Sequence, residues 1–244
     1  MKRLLELLAL LAVPGMLFTC AALRIEQAAL LTLVTVVLSL LLFFLRFEHA
    51  RPRPRDILPI VVLASLAAAG RVLFAALPNV KPVTAIVIVA GVCLGRQGGF
   101  LTGALAALAS NLFFGQGPWT PWQMYAWGVI GYLAGLLRPL LAPQPKSDAA
   151  QGLFRLTPWR TPPTVYLFGF FAALLYGFLL DSWYITGYIS PLTWQAALAG
   201  YAAGLPFSLL HAVATVLFLL PIYAPWCRKI ARIQRKYGIS AGET

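Results

Sequence analysis

The chain has 244 residues, 60% of them hydrophobic and 11% charged, with a mean hydropathy of +0.81. Soluble domains carry about 25% charged residues, so this composition excludes a water-soluble globule. The formal net charge of +12 suggests nucleic acid until the charges are located: they cluster between apolar runs, where membrane topology accounts for them and no nucleic-acid partner is needed.

Runs of about 18 or more apolar residues without charge predict an all-α, polytopic membrane protein. The short alternating segments of a β-barrel are absent. Eight spans are expected, near residues 4–22, 27–46, 56–77, 82–95, 98–114, 121–140, 164–181 and 197–222. Met1-Lys2-Arg3 and the apolar run after it resemble a signal peptide, with a faint lipoprotein site at Leu17-Phe18-Thr19-Cys20. The run continues past Ala12 through Pro14-Gly15, so an uncleaved span is favoured. Gly95-Arg96-Gln97-Gly98-Gly99 forms a tight turn between the short fourth and fifth spans.

With Lys2 and Arg3 in the cytoplasm, both termini lie inside. Arg46, Arg51, Arg53, Arg55, Arg96, Arg138, Lys146, Arg155, Arg160 and the basic run from Arg228 then fall inside too. Only Arg24 and Lys81 fall in outer loops, and Arg71 falls within a span. This bias sets the orientation expected in a cytoplasmic (inner) membrane. Arg51-Pro52-Arg53-Pro54-Arg55 divides a two-helix hairpin (residues 1–50) from a six-helix block (51–227). Residues 141–163 form a Pro-rich cytoplasmic loop, and residues 228–244 form a basic tail, helical over Arg228–Tyr237, lying on anionic lipid headgroups. No internal repeat is present.

Three outer loops converge on one face: Pro78-Asn79-Val80-Lys81-Pro82, the lip Gln116–Gln123, and Asp181-Ser182-Trp183-Tyr184 running on to Trp194 and Gln195. Tryptophans and tyrosines bind flat organic surfaces, and amides orient them. An aromatic belt at headgroup level accounts for Trp183 or Trp194, but not for amides set between prolines. The expected solute contacts are Arg71, Asn79, Lys81, Asn111, Gln116, Trp119, Trp122, Gln123, Trp127, Asp181, Trp183 and Tyr184. Arg71 is costly in a bilayer: it snorkels, binds an anionic or carbonyl group of a solute, or pairs with Asp181. Asn111 is a helix–helix hydrogen bond or a pocket amide, and His211 is packing or a proton relay. On the third span Ala64 and Ala68 are four apart, as are Ser65 and Ala69, giving a small-residue stripe for a neighbouring helix inside or outside the chain.

No catalytic set is present: no GxSxG, HExxH or phosphate-binding loop, and no paired carboxylates within a span. An enzyme is not expected, and neither a metal nor a cofactor is. Cys20, Cys93 and Cys227 lack metal spacing and read as packing residues. Two alternatives remain: a membrane enzyme using His211, Ser208, Arg71 or Asp181, and a structural subunit with no solute.

Residues 56–223 resemble the substrate-binding S components of energy-coupling factor (ECF) vitamin transporters. The resemblance rests on the six-helix block, the Ala64/Ala68 stripe, and Lys81-Pro82-Val83-Thr84-Ala85. It also rests on Phe114-Gly115-Gln116-Gly117-Pro118-Trp119-Thr120-Pro121-Trp122-Gln123-Met124, continuing through Trp127-Gly128 and Leu133-Ala134-Gly135. The last string looks most like cobalamin-type S components. The resemblance implies binding of a vitamin, cobalamin or a related corrinoid, on the outer face. It implies docking through Ala64 and Ala68 on a transmembrane coupling protein carried by two ATPases, with residues 78–82 as a gate. The N-terminal hairpin is extra to that family pattern.

Overall fold

The computed structural model describes residues 2–23, 28–49, 52–145 and 159–239. Arg24, Arg51, Lys146 and Arg155, which carry part of the charge bias, lie outside them, as do most of the Pro-rich loop and residues 240–244. The chain folds as α1 (Lys2–Leu23), α2 (Ala28–His49), α3 (Pro54–Leu73), α4 (Val83–Phe114), α5 (Trp119–Leu136), a single turn α6 (Arg138–Leu141), α7 (Thr164–Tyr188) and α8 (Trp194–Tyr237). A two-residue antiparallel ladder, β1 (Gln144–Pro145) with β2 (Trp159–Arg160), closes the loop between α6 and α7. Among the described residues, α2, α3, α4, α7 and α8 are long and apolar enough to cross a membrane. This is the build of a multi-pass helical membrane protein.

The centre of the bundle is α4, most of whose residues are buried. It is broken at Gly95, whose φ of 83° an L side chain rarely adopts. In a straight helix residues 91 and 99 would stand about 12 Å apart. Here a Cβ on Gly99 would lie 2.6 Å from the Gly91 Cα, so the chain doubles back at the turn expected from residues 95–99. α5 lies against both halves. A Cβ on Gly131 would fall 2.1 Å from the Gly99 carbonyl oxygen, so the helices meet at backbone contact.

α3 starts on Pro54, with Asp56 accepting from the Arg53 backbone N–H (3.3 Å) and Nε (3.0 Å). Its inward face is Ile60, Leu63, Ala64, Ala67 and Ala68. Ala64 and Ala68 are only 4% and 6% exposed. The expected docking pair therefore packs inside this chain, and the small residues on the outward face are Ser65 and Ala69. Helical periodicity turns 65 and 69 about 100° away from 64 and 68, enough to bring them out of the buried face.

The N-terminal hairpin shares a core with the rest. Val13, Val36 and Phe43 are buried with Phe100, Trp122, Tyr125 and Tyr132, and Phe43 stacks on Phe100 at 3.8 Å. At the other extreme, α8 runs for 44 residues, about 66 Å, well beyond a hydrocarbon core of about 30 Å. Its end is not a separate tail. Ile230 is buried in the main core, Gln234 donates to the Cys93 carbonyl (2.9 Å), and Arg53 donates to the Gly238 carbonyl (3.4 Å). Arg228, Lys229, Arg232, Arg235 and Lys236 stay exposed.

Candidate solute site in the bundle

Arg71 sits on the last turn of α3. Its Nη1 donates to the Ser110 hydroxyl (2.7 Å) and the Asn111 side-chain oxygen Oδ1 (2.6 Å). The guanidinium also lies over the rings of Phe114 and Trp127, at 4.7 and 5.2 Å from their centroids. Asn111 is fully buried and donates onward to Thr120 (3.0 Å) and Gln123 (2.8 Å). Thr120 accepts from the Gly117 N–H and donates to Gln116, which donates in turn to the Leu108 carbonyl. The amide-rich lip between α4 and α5 is thus a hydrogen-bonded network around a half-buried cation. Hydroxyl and amide dipoles stabilise that charge where no carboxylate does. No ion pair joins Arg71 to Asp181, so that one of the alternatives open for Arg71 is not formed.

A second chain of bonds runs beside the first. Trp127 Nε1 donates to Thr84 (3.1 Å), Thr84 meets His211 Nε2 (2.9 Å), and His211 Nδ1 meets the Asn79 carbonyl (3.0 Å). A neutral imidazole protonated at Nδ1 satisfies every partner, because the carbonyl can only accept. His211 is therefore a packing residue with both nitrogens in use. Asn79 holds the loop in place with a positive φ of 55°, which asparagine tolerates. Lys81 directs its ammonium at the carbonyls of Phe74, Ala75 (3.1 Å) and Leu77 (2.8 Å), capping α3. Burial first, and the Arg71 charge second, hold its pKa below the ordinary lysine value. Lys81 is a cap, not a free ligand contact.

Several other expected contacts fall elsewhere. Trp122 is 0% exposed beneath the N-terminal hairpin, and its Nε1 has no partner. It is not on the lip surface. Trp127 is buried and stacked on Tyr176 at 4.5 Å. Asp181, Trp183 and Tyr184 are not in a loop, since α7 continues to Tyr188. The Ser182 and Thr186 hydroxyls bond back to the carbonyls of Phe178 (2.7 Å) and Ser182 (2.8 Å), which lets a polar segment stay helical. Trp119 meets Trp183 edge-on at 6.5 Å, and Tyr184 stacks on Tyr188 at 5.6 Å. These rings form an aromatic patch at one end of the bundle.

Beside the Tyr176 ring lies a cavity of about 350 Å³ between α7, α8 and the α3–α4 loop. Asn79, Tyr176, Asp181, Phe207, Ser208 and His211 line it. Among the described residues, Asp181 and Ser208 have no hydrogen-bond partner for their side chains. A second, mainly apolar crevice of about 410 Å³ lies against Phe18, Phe178 and Trp194, side chains that are themselves exposed.

Sequence reasoning missed Glu6. It is 1% exposed on α1 and meets Arg46 (3.1 Å), Arg96 (4.0 Å), Gln97 (2.9 Å) and Tyr132 (2.8 Å). An acidic residue early in an apolar run, with arginines expected on the same side, was the available signal. Cys93 and Cys227 are also neighbours. No group of three potential metal ligands exists among the described residues.

The model of a family of unknown function, DUF6580, matches residues 51–226. The chain belongs to DUF6580. No curated protein matches it. No solved structure matches it either. The α1–α2 hairpin of this DUF6580 protein lies outside the matched region, and Glu6 joins it to α4 and α5 inside that region.

Proposed function

We propose that this DUF6580 protein is the solute-binding subunit of an ECF-type vitamin importer in the cytoplasmic membrane, with eight spans and both termini inside. One observation carries the reading: among the described residues, the cavity is lined by a carboxylate and a hydroxyl, those of Asp181 and Ser208, that have no hydrogen-bond partner. Unmet polar groups at membrane depth are costly, and a ligand that meets them offsets that cost. The lip resemblance to S components supports the same class.

In this reading the protein supplies binding and no chemistry, because His211 has no nitrogen left to act as a base. The coupling protein approaches the outward face of α3 at Ser65 and Ala69, and two ATPases drive release. A corrinoid, expected from the lip string, is larger than the cavity and would require α7 and α8 to part. A compact ring vitamin fits without that movement, since pockets for small ligands start at about 300 Å³.

The test is calorimetric titration of the detergent-purified protein with cobalamin, cobinamide, riboflavin, biotin and thiamine. Tight, saturable binding of one of them supports the proposal and names the substrate. A folded protein that binds none of them removes it.

A further inference from the structure

We infer that the cavity between α7 and α8 selects an organic cation, bound through the Asp181 carboxylate. This deepens the solute-binding reading above and rests on it. Asp181 is one of the cavity's lining residues and carries its only acidic side chain. A Cβ on Gly204 would lie 2.3 Å from one carboxylate oxygen and 2.8 Å from the other. The carboxylate is therefore seated directly on the α8 backbone, in space that only glycine leaves open. Among the described residues no cation pairs with it: Arg71 is bound to Ser110 and Asn111, and Lys81 is bound to carbonyls at the end of α3.

The same cavity is lined by the rings of Tyr176 and Phe207, the Ser208 hydroxyl and Asn79. Aromatic faces attract cations, and more strongly where water is scarce. A carboxylate among rings, with hydroxyl and amide groups beside it, suits a substituted ammonium or a cationic heteroaromatic ring. It disfavours an anion of the same size, which would meet an unscreened like charge.

The test measures binding of choline, thiamine and the uncharged choline isostere 3,3-dimethylbutan-1-ol to the full-length protein. Wild type, Asp181→Asn and Gly204→Ala are compared, each first checked for an unchanged melting temperature without ligand. Choline or thiamine should bind, and the neutral isostere should bind about ten-fold or more weakly. Asp181→Asn should remove that preference, and Gly204→Ala, which displaces the carboxylate, should reduce it. Equal binding of choline and its isostere, or cation binding unchanged in Asp181→Asn, overturns the inference. Riboflavin or biotin binding that ignores Asp181→Asn overturns it too, while leaving the solute-binding reading intact. Silence toward every compound removes both.

Discussion

Replacing Asn111 with leucine isolates the energetic role of the half-buried Arg71 cation. Asn111 accepts one bond from Arg71 and donates two, to Thr120 and Gln123. A hydrogen bond to a charged group contributes about 1.5–3 kcal/mol and a neutral one about 1 kcal/mol. The gross loss is then about 4 kcal/mol, of which burial of the leucine side chain recovers about 1 kcal/mol. For a chain of this size each kcal/mol moves Tm by roughly 2–4 °C, so Asn111→Leu should lower Tm by roughly 6–12 °C. Much of that loss comes from leaving a guanidinium under-satisfied, as when one partner of a buried pair is removed. Adding Arg71→Met should therefore restore part of the Tm rather than lower it further. The assay is tryptophan fluorescence during thermal unfolding in detergent, on both single variants and the double variant. Strictly additive shifts would refute the reasoning, because residues in one network must couple.

Gly131→Ala should lower Tm by an amount equivalent to about 3 kcal/mol, since its Cβ meets a backbone oxygen that cannot move aside; an unchanged melt would contradict the α4–α5 contact. Glu6→Gln should weaken the attachment of the α1–α2 hairpin by about 3 kcal/mol, by removing the carboxylate that Arg46 and Arg96 share; faster proteolysis between residues 23 and 28 is the readout. Ala64→Leu should damage folding, whereas Ala69→Leu should leave the protein folded and able to bind solute but unable to support uptake in cells. Normal uptake in Ala69→Leu would count against docking on that face.

The helical class and the turn at Gly95 were legible, because long apolar runs and a cluster of glycines around an arginine leave few alternatives. The polar residues of the site were legible as types but not as partners. On sequence alone Arg71 and Asn111 are open to a structural or a pocket role and Gln123 reads as a pocket contact; the three form one network, since polar groups at membrane depth first satisfy one another. The spacing of Ala64 and Ala68 predicts a stripe, but no spacing says which side faces the core. The last two turns of α7 read as a loop because Ser182, Thr186 and Gly187 are loop-forming types, and their back-bonded hydroxyls are a structural fact. The cavity had no sequence signal of its own. It arises where Gly177 and Gly204 let α7 and α8 close on Ser208 and Asp181.

The central claim is that this cavity takes a solute. Its most direct test is the rate at which a water-soluble maleimide modifies Ser208→Cys, with and without saturating cobalamin, cobinamide, riboflavin, biotin or thiamine. The three native cysteines are buried, and serine to cysteine preserves the cavity's shape. Modification in the free protein and clear protection by the solute that binds are expected. Modification at the same rate with every compound, including one shown to bind by titration, would place the solute elsewhere and contradict that claim.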